Sequence, residues 1–289
     1  MRFMVLVKSD EKSEAGALPD EQMLAEMAGF NEQAVKAGTM LGGDGLQPSA
    51  KGARIRYDNG KITVIDGPFA EAKELVAGYW IIKAGSLQEA VDWARRVPFQ
   101  EGEVEIRQLE EVEDFPVDPS EQPGGWRDIE TAARDAVGAW PKFEAAPGKL
   151  RFIGFVKGDR VTEAGGTPSP EGLEAMGQLM DRAMKAGKVV WGEGLKPTSK
   201  GARVRYAGSK RTVIDGPFTE SKELIAGFAL LQVDSKAEAV ELSKECVLVD
   251  GPHRLNKVCE LEVRQLFELS DFAPGEAVDR HAKLREEMA

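Results

Sequence analysis

The sequence predicts an α+β fold in which two tandem ferredoxin-like repeats pack against each other within one chain. Two observations lead to this prediction: a long internal repeat, and the same βαββαβ order with an inserted hairpin in both copies. The length of 289 residues also suits two domains of ordinary size. Because helices cover one face of such a sheet, we expect the open faces to pack together about a pseudo-twofold axis.

The internal repeat has an offset of 149 residues over most of its length. Asp66-Gly67-Pro68-Phe69 returns as Asp215-Gly216-Pro217-Phe218, and residues 52–57 return as 201–206. Near the end of each copy, Glu105-Ile106-Arg107-Gln108 corresponds to Glu262-Val263-Arg264-Gln265 at an offset of 157. We therefore place eight extra residues between the second helix and the last strand of copy two.

These correspondences divide the chain into four parts. Repeat 1 comprises residues 1–115 and repeat 2 comprises residues 150–272. A Pro/Gly-rich linker, residues 116–149, joins them, and we predict a polar helix in the C-terminal tail, residues 273–289.

Each element of a copy has a local signal. An apolar run at 3–7 predicts a buried strand, and Pro19 followed by Asp20 predicts the start of a helix that Gly38 ends. Asn59-Gly60 between two β-rich runs predicts a hairpin. Ser86 is suited to cap a helix over 87–97, and strands are expected at 76–82 and 104–109.

Charge and composition narrow the possible functions. The net charge is −11, whereas a protein that binds nucleic acid usually carries a basic surface. No apolar run reaches the length that crosses a bilayer, and the first residues lack a secretory signal. Cys246 and Cys259 suit a reducing compartment. We expect a cytoplasmic protein that binds neither nucleic acid nor membranes.

The sequence offers no signal for a cofactor or a metal. No two histidines or cysteines have the spacing of metal ligands. The glycine-rich segment 42–45 lacks the Lys-Ser/Thr pair of a phosphate-binding loop. We therefore predict neither a metal site nor a cofactor.

The carboxylates and lysines around the repeated tetrapeptide are the first candidates for chemistry. Asp66 and Asp215 are candidate general bases, although an Asp-Gly-Pro turn also forms for purely structural reasons. A lysine between carboxylates could orient a substrate, or it could belong to an exposed ion-pair network. This charged cluster comprises Glu71, Lys73 and Glu74 in copy one and Glu220, Lys222 and Glu223 in copy two.

The arginines of the predicted strands are the second group of candidates. Arg54 and Arg56 are two residues apart and thus on one face of a strand, and Arg203 and Arg205 repeat this pair. Arg107 and Arg264 could join them from the last strands. Guanidinium groups bind carboxylate or phosphate well. The alternative is that they pair with the chain's own carboxylates, such as Asp66, Glu71 or Glu105.

The motif Asp-Gly-Pro-Phe-x-Glu-x-Lys-Glu after a β-rich run resembles the signature of the DGPF group within the YCII-related family. Three further segments in each copy resemble other landmarks of that family. They are 45–48, 53–56 and 102–107 in copy one, and 194–197, 202–205 and 261–264 in copy two. The resemblance covers both repeats and leaves out the linker and tail. It implies a dimeric α+β barrel, and some YCII-type relatives are dehalogenating or lyase-like enzymes on small cyclic substrates.

One departure weakens the enzymatic interpretation. YCII-type relatives are thought to use a His–Asp pair, but this chain has only His253 and His281, and neither has a counterpart in copy one. Our hypothesis is a protein that binds or transforms a small organic molecule at a site lined by the DGPF turns. In an enzyme, Asp66 and Asp215 would be the bases and Lys73 and Lys222 the orienting cations.

The alternative is a non-catalytic, partner-binding module linked to sigma-factor-dependent transcription, since the resemblance implies an association of this group with extracytoplasmic-function sigma factors. The sequence leaves open whether the chain forms a homodimer or binds a regulatory protein.

Overall fold

The computed structural model describes residues 1–70, 75–111, 114, 131, 146–166, 168–218, 224–254 and 256–287. Repeat 1 begins with β1 (Arg2–Lys8), α1 (Glu11–Glu14), α2 (Glu21–Lys36) and β2 (Met40–Gly45). It continues with β3 (Ala53–Asp58), β4 (Lys61–Asp66), β5 (Val76–Lys83), α3 (Leu87–Ala94) and β6 (Glu101–Gln108). Most of the linker lies outside the described residues.

Repeat 2 has the same order of elements. It begins with β7 (Leu150–Lys157), α4 (Arg160–Glu163), α5 (Pro170–Lys185) and β8 (Val189–Gly194). It continues with β9 (Ala202–Ala207), β10 (Lys210–Asp215), β11 (Ile225–Val233), α6 (Lys236–Asp250) and β12 (Val258–Gln265). The tail contains α7 (Glu276–Glu287).

The two repeats exchange their β-hairpins. Sheet 1 has the strand order β10-β9-β6-β1-β5-β2, and sheet 2 has the order β4-β3-β12-β7-β11-β8. The β3–β4 hairpin of repeat 1 therefore lies in the sheet built mainly by repeat 2, and the β9–β10 hairpin of repeat 2 lies in sheet 1. The sequence predicts both hairpins, but it does not indicate which sheet each one joins.

The hydrophobic core lies in three layers. One cluster between the sheets contains residues of both repeats, including Met4, Tyr79, Ile153 and Phe228. The other two clusters lie between each sheet and its helices, and each contains residues of the exchanged hairpin, such as Val204 and Ile55. The predicted α+β fold, with the open sheet faces packed together, is confirmed.

Most local signals act as expected. The carboxylate of Asp20 accepts a hydrogen bond from the Met23 amide at the start of α2, and the Ser86 hydroxyl accepts one from the Glu89 amide at the start of α3. Asn59 and Gly60 have φ of 47° and 94° in the hairpin turn. These residues provide the caps and the left-handed turn positions that the elements need.

Two features differ from the sequence analysis. The glycine-rich segment 40–45 forms β2, which pairs with β5 at the edge of sheet 1. The sequence analysis places the extra residues of copy two after its second helix. In the structure, most of them lengthen that helix instead. Helix α6 has 15 residues against 8 in α3, and a short 3₁₀ turn, Gly251–His253, follows it.

The tail returns to repeat 1. Helix α7 packs on α2, with Ala277 and Leu284 buried. The Arg280 guanidinium binds the Glu32 carboxylate with two N–O distances of 2.7 Å, and Arg285 Nη2 lies 2.8 Å from Asp44 Oδ1. Repeat 1 is thus covered by a helix that follows repeat 2 in the chain.

Candidate functional site

A charged cluster lies on the inner face of each sheet, beside the apolar layer between the sheets. The sheet-1 cluster centres on Glu105, whose side chain is 3% exposed. Its carboxylate contacts Arg203 Nη2 at 2.8 Å, Lys8 Nζ at 3.2 Å and Arg107 Nη1 at 3.3 Å. Arg107 Nη2 lies 3.6 Å from Glu163. Since Arg203 and Glu163 come from repeat 2, both repeats build the cluster.

The sheet-2 cluster has the same arrangement with the repeats interchanged. The Glu262 carboxylate contacts Arg54 Nε at 2.9 Å, Arg264 Nη1 at 3.2 Å and Lys157 Nζ at 3.5 Å. Arg264 Nη2 lies 3.1 Å from Glu14 Oε1. Here Glu14 and Arg54 come from repeat 1. Pseudo-symmetry therefore extends from the fold to the individual charged groups.

The central carboxylates are ionised in the folded protein. Burial opposes ionisation, but the nearby cations Lys8, Arg107 and Arg203 outweigh it and lower the pKa of Glu105 to about 2. The pKa of Glu262 is lowered in the same way, because Lys157, Arg264 and Arg54 outweigh its burial.

Each DGPF turn is fixed to a short 3₁₀ turn before the hairpin. The Ser49 hydroxyl accepts a hydrogen bond from the Phe69 amide at 3.0 Å, and the Thr198 hydroxyl accepts one from the Phe218 amide at 3.2 Å. A Cβ atom at Gly67 would overlap the carbonyl oxygen of Ser49. The glycine of the motif is therefore required by this close approach of two backbones.

The phenylalanine of each turn contacts the charged cluster. The guanidinium carbon of Arg54 lies 4.3 Å from the centre of the Phe69 ring, and that of Arg203 lies 4.1 Å from the centre of the Phe218 ring. These are cation–π distances. We call each turn together with its cluster a DGPF site: site A contains Phe69 and the sheet-2 cluster, and site B contains Phe218 and the sheet-1 cluster.

The aspartates of the motif project from the other face of the hairpin. Asp66 faces Ala53 across the strand pair, on the face that packs towards the helices, whereas Arg54 and Arg56 are on the opposite face. Asp66 Oδ1 lies 2.7 Å from Lys236 Nζ of α6, and its side chain is 73% exposed. Asp215 has the equivalent position and is also exposed.

The structure therefore does not bring either aspartate into the arginine clusters, and their role as bases stays a prediction.

The six predicted arginines divide into two groups. The cluster arginines, Arg54, Arg107, Arg203 and Arg264, pair with the chain's own carboxylates, which is the alternative raised from the sequence. Arg56 and Arg205 are exposed at the edge of the clusters. Glu71, Lys73, Glu220 and Lys222 lie outside the described residues, so their predicted roles stay predictions.

Sequence reasoning missed several members of the clusters. Glu14 accepts a hydrogen bond from the Ser49 amide at 2.9 Å, and Glu163 accepts one from the Thr198 amide at 3.1 Å. These two glutamates are separated by the repeat offset, as are Lys8 and Lys157. The shared offset of 149 residues is the signal that the sequence carries for these charged residues, but it does not indicate which groups they contact.

Other reactive groups lie away from the DGPF sites. Among the described residues, no set of three or more His, Cys, Asp or Glu side chains is arranged to hold a metal ion. His253 Nδ1 lies 3.4 Å from Ser169 Oγ. Burial raises the pKa of the Cys246 thiol to about 12 and raises that of Cys259 as well. Both thiols are thus protonated near neutral pH, which does not favour nucleophilic chemistry.

The duplicated architecture agrees with comparisons to known proteins. A family model for the YCII-related domain matches residues 1–113 and again residues 130–261. The chain belongs to the YCII-related family. A similar protein is an uncharacterized protein of Rhizobium meliloti (strain 1021), 35% identical over 97 residues, which are 33% of this chain and 78% of that protein.

The relative in this comparison is about the length of one repeat, as expected if this YCII-related chain contains one domain twice.

In the part of the chain that the structure describes, no helix is long and apolar enough to cross a membrane.

Proposed function

We propose that this YCII-related protein binds a small organic molecule at DGPF sites A and B. The observation that carries the proposal is the stacking of Arg54 on Phe69 and of Arg203 on Phe218. This contact joins the turn of one repeat to a buried ionic cluster completed by the other repeat. A site held on both sides in this way is rigid, and rigidity reduces the entropy lost on binding.

An exposed apolar side chain lies beside each stack. Ile65 is directly opposite Arg54 on the β3–β4 hairpin, and Ile214 is directly opposite Arg203 on the β9–β10 hairpin. Opposite residues of an antiparallel pair share a face, so each isoleucine adjoins a guanidinium group. Ile65 is 53% exposed and Ile214 is 36% exposed. This combination suits a ligand with an apolar body and a polar group.

The geometry favours binding over general-base catalysis. A base must reach the proton that it removes, and Asp66 projects away from the cluster towards Lys236. The enzymatic form of the proposal would use Asp66 and Asp215 as bases with Lys73 and Lys222 as orienting cations. It would require a substrate that extends around the edge of the hairpin to reach both faces.

The edge strands support the alternative of a partner-binding module. Strands β4 and β10 each pair on one side only in the described sheets. Val64, Ile65 and Ile214 are exposed on these edges. Such an edge can accept a strand of another protein. The link to sigma-factor-dependent transcription follows from the family resemblance and stays a prediction.

A thermal-shift screen with small organic acids, phenols and neutral aromatic compounds tests the proposal. The wild type is compared with an Ile65→Ser/Ile214→Ser variant, which alters exposed positions at the two sites. An Asp66→Asn/Asp215→Asn variant is the matched control on the opposite face. We expect a ligand to raise the Tm of the wild type and of the aspartate variant, but to have little effect on the isoleucine variant.

Two other results would change the conclusion. If only the aspartate variant loses the response, the ligand binds at the aspartates and the enzymatic form is favoured. If no compound raises the Tm of any of the three proteins, the binding proposal fails and a protein partner should be sought.

A further inference from the structure

The two DGPF sites differ at one charged position. At site A, Arg56 Nη2 lies 3.4 Å from Asp58 Oδ2, and Arg56 Nη1 lies 3.6 Å from Glu260 Oε2. Two carboxylates thus neutralise this guanidinium from two sides. In repeat 2 the residue equivalent to Asp58 is Ala207, which has no charge.

Arg205, the equivalent of Arg56 at site B, is bound from one side. Its Nε and Nη2 atoms lie 3.1 Å and 2.9 Å from the same oxygen of Glu103. Its side chain is 62% exposed, against 44% for Arg56. With Nε and Nη2 both directed at Glu103, the Nη1 edge of the guanidinium remains for another acceptor.

The ion pairs at the two sites also differ in their number of carboxylates. Among the direct ion pairs of the described residues, the four basic groups of site A contact four carboxylates and the four equivalent groups of site B contact three. The groups of site A are Arg54, Arg56, Lys157, Arg264, Glu14, Asp58, Glu260 and Glu262. Those of site B are Lys8, Arg107, Arg203, Arg205, Glu103, Glu105 and Glu163.

The segments that follow the DGPF turns have the same formal charge in both copies. Residues 71–74 and 220–223 each carry two glutamates and one lysine. The contrast between Arg56 and Arg205 therefore rests on the described residues Asp58, Glu260 and Glu103.

The strand register places an apolar contact within reach of Arg205. Arg205 is directly opposite Thr212, and Arg203 is directly opposite Ile214, all on the same face of the hairpin. Arg205 and Ile214 are therefore diagonal neighbours, a separation that one small aromatic ring and its substituent can span.

We infer that site B is selective for a small monocarboxylate with an apolar body. Arg205 binds the carboxylate, and Ile214 contacts the apolar part. This inference rests on the proposed function and adds the ligand class and the choice between the two sites. A monocarboxylate is specified because Nε and Nη2 of Arg205 are directed at Glu103, so that one edge of the exposed guanidinium is left for one charge-assisted contact.

The test uses the full chain with ¹³C-methyl isoleucine labelling and sodium benzoate as the probe. We expect benzoate to shift the methyl signal of Ile214 at a concentration about tenfold lower than any shift of Ile65, a difference of about 1.4 kcal/mol. Benzamide, which has the same shape without the charge, should shift Ile214 only at concentrations similar to those for Ile65.

Reciprocal variants supply the matched control. Ala207→Asp gives Arg205 the second carboxylate that Arg56 has, and we expect it to weaken benzoate binding at Ile214 about tenfold. Asp58→Ala removes that carboxylate from site A, and we expect Ile65 then to respond to benzoate as Ile214 does in the wild type. Both positions are exposed at the end of a strand, so the fold should be retained.

The outcomes separate this inference from the proposed function. Equal responses of Ile65 and Ile214 to benzoate, or a response that Ala207→Asp leaves unchanged, would overturn the inference while supporting ligand binding at the DGPF sites. If benzoate shifts neither isoleucine but a neutral compound from the screen does, the ligand class is wrong and the proposed function stands. If no compound shifts either isoleucine, both fail.

Discussion

Glu105 and Arg203 lie directly opposite each other on β6 and β9, with Arg203 Nε 3.0 Å from the Glu105 carboxylate, although 98 residues separate them in the sequence. Glu262 and Arg54 form the same pair in the other sheet. Each repeat therefore supplies the arginine that neutralises a buried glutamate of the other. Folding of the two repeats is coupled by charge as well as by the exchanged hairpins.

Replacement of Glu105 by glutamine should destabilise the protein strongly. The substitution leaves Lys8, Arg107 and Arg203 close together without their central carboxylate, and breaking such a buried ionic group costs about 3–5 kcal/mol. Urea denaturation of the Glu105→Gln variant measures the free energy of unfolding. Glu101→Gln, an exposed position on the same strand, is the control and should change it by less than about 0.5 kcal/mol. Equal stability of the two variants would contradict the prediction.

The two buried glutamates also predict how stability depends on pH. The pKa of Glu105 is lower in the folded protein than in the unfolded chain, so the native state binds fewer protons. The stabilisation is complete above the ordinary glutamate pKa of 4.5 and is lost as the pH falls towards about 2. The pKa of Glu262 is also lowered and contributes in the same direction.

Denaturation curves between pH 6 and the acid limit measure this dependence. The slope of the free energy of unfolding against pH should be smaller in Glu105→Gln than in the wild type, with the remainder due in part to Glu262. An unchanged slope would show that the neighbouring cations do not lower the pKa of Glu105 in the folded protein.

Repeat 1 alone, residues 1–115, should form a homodimer. Without repeat 2, the position of β9 beside β6 is empty, and the β3–β4 hairpin has no β12 to pair with. A second copy meets both needs, because Arg54 of one copy can face Glu105 of the other. Light scattering coupled to size-exclusion chromatography measures the mass. A folded monomer at micromolar concentration would contradict the prediction, and Arg54→Glu should weaken the dimer.

A methyl group at Gly67 should disturb the DGPF turn. Because Cβ would overlap the Ser49 carbonyl oxygen, Gly67→Ala must displace one of the two backbone segments. We expect a cost of more than about 2 kcal/mol and a fall in Tm, measured by calorimetry. Gly216→Ala should behave alike, since its Cβ would overlap the Thr198 carbonyl oxygen. If both variants melt as the wild type does, the turn is not held as described.

Much of the fold could be predicted because its signals are local. The hairpin turn at Asn59-Gly60, the cap at Ser86 and the alternation along β6 depend on neighbours within a few residues. The internal repeat further indicated that one domain occurs twice and that the open sheet faces must cover each other. These features follow from backbone geometry and hydrophobic periodicity, which the sequence displays directly.

The candidate site was predicted only in part. The spacing of the arginine pairs predicts that each pair lies on one strand face, and the site hypothesis adds Asp66 of the DGPF turn to them. Alternation along the hairpin places Asp66 with Ala53 and directs it to Lys236, away from Arg54. Glu14 and Lys157 were missed, since their contacts with Arg264 and Glu262 depend on long-range packing.

The sequence by itself determined that the chain is a duplicated α+β domain with a paired set of charged residues. Only the tertiary structure decided which repeat supplies each partner. A hairpin can satisfy its hydrogen bonds in either sheet, so its local sequence does not distinguish the two arrangements. The choice depends on contacts such as Arg203 with Glu105 and Val204 with the sheet-1 core, which exist only after the two repeats have packed together.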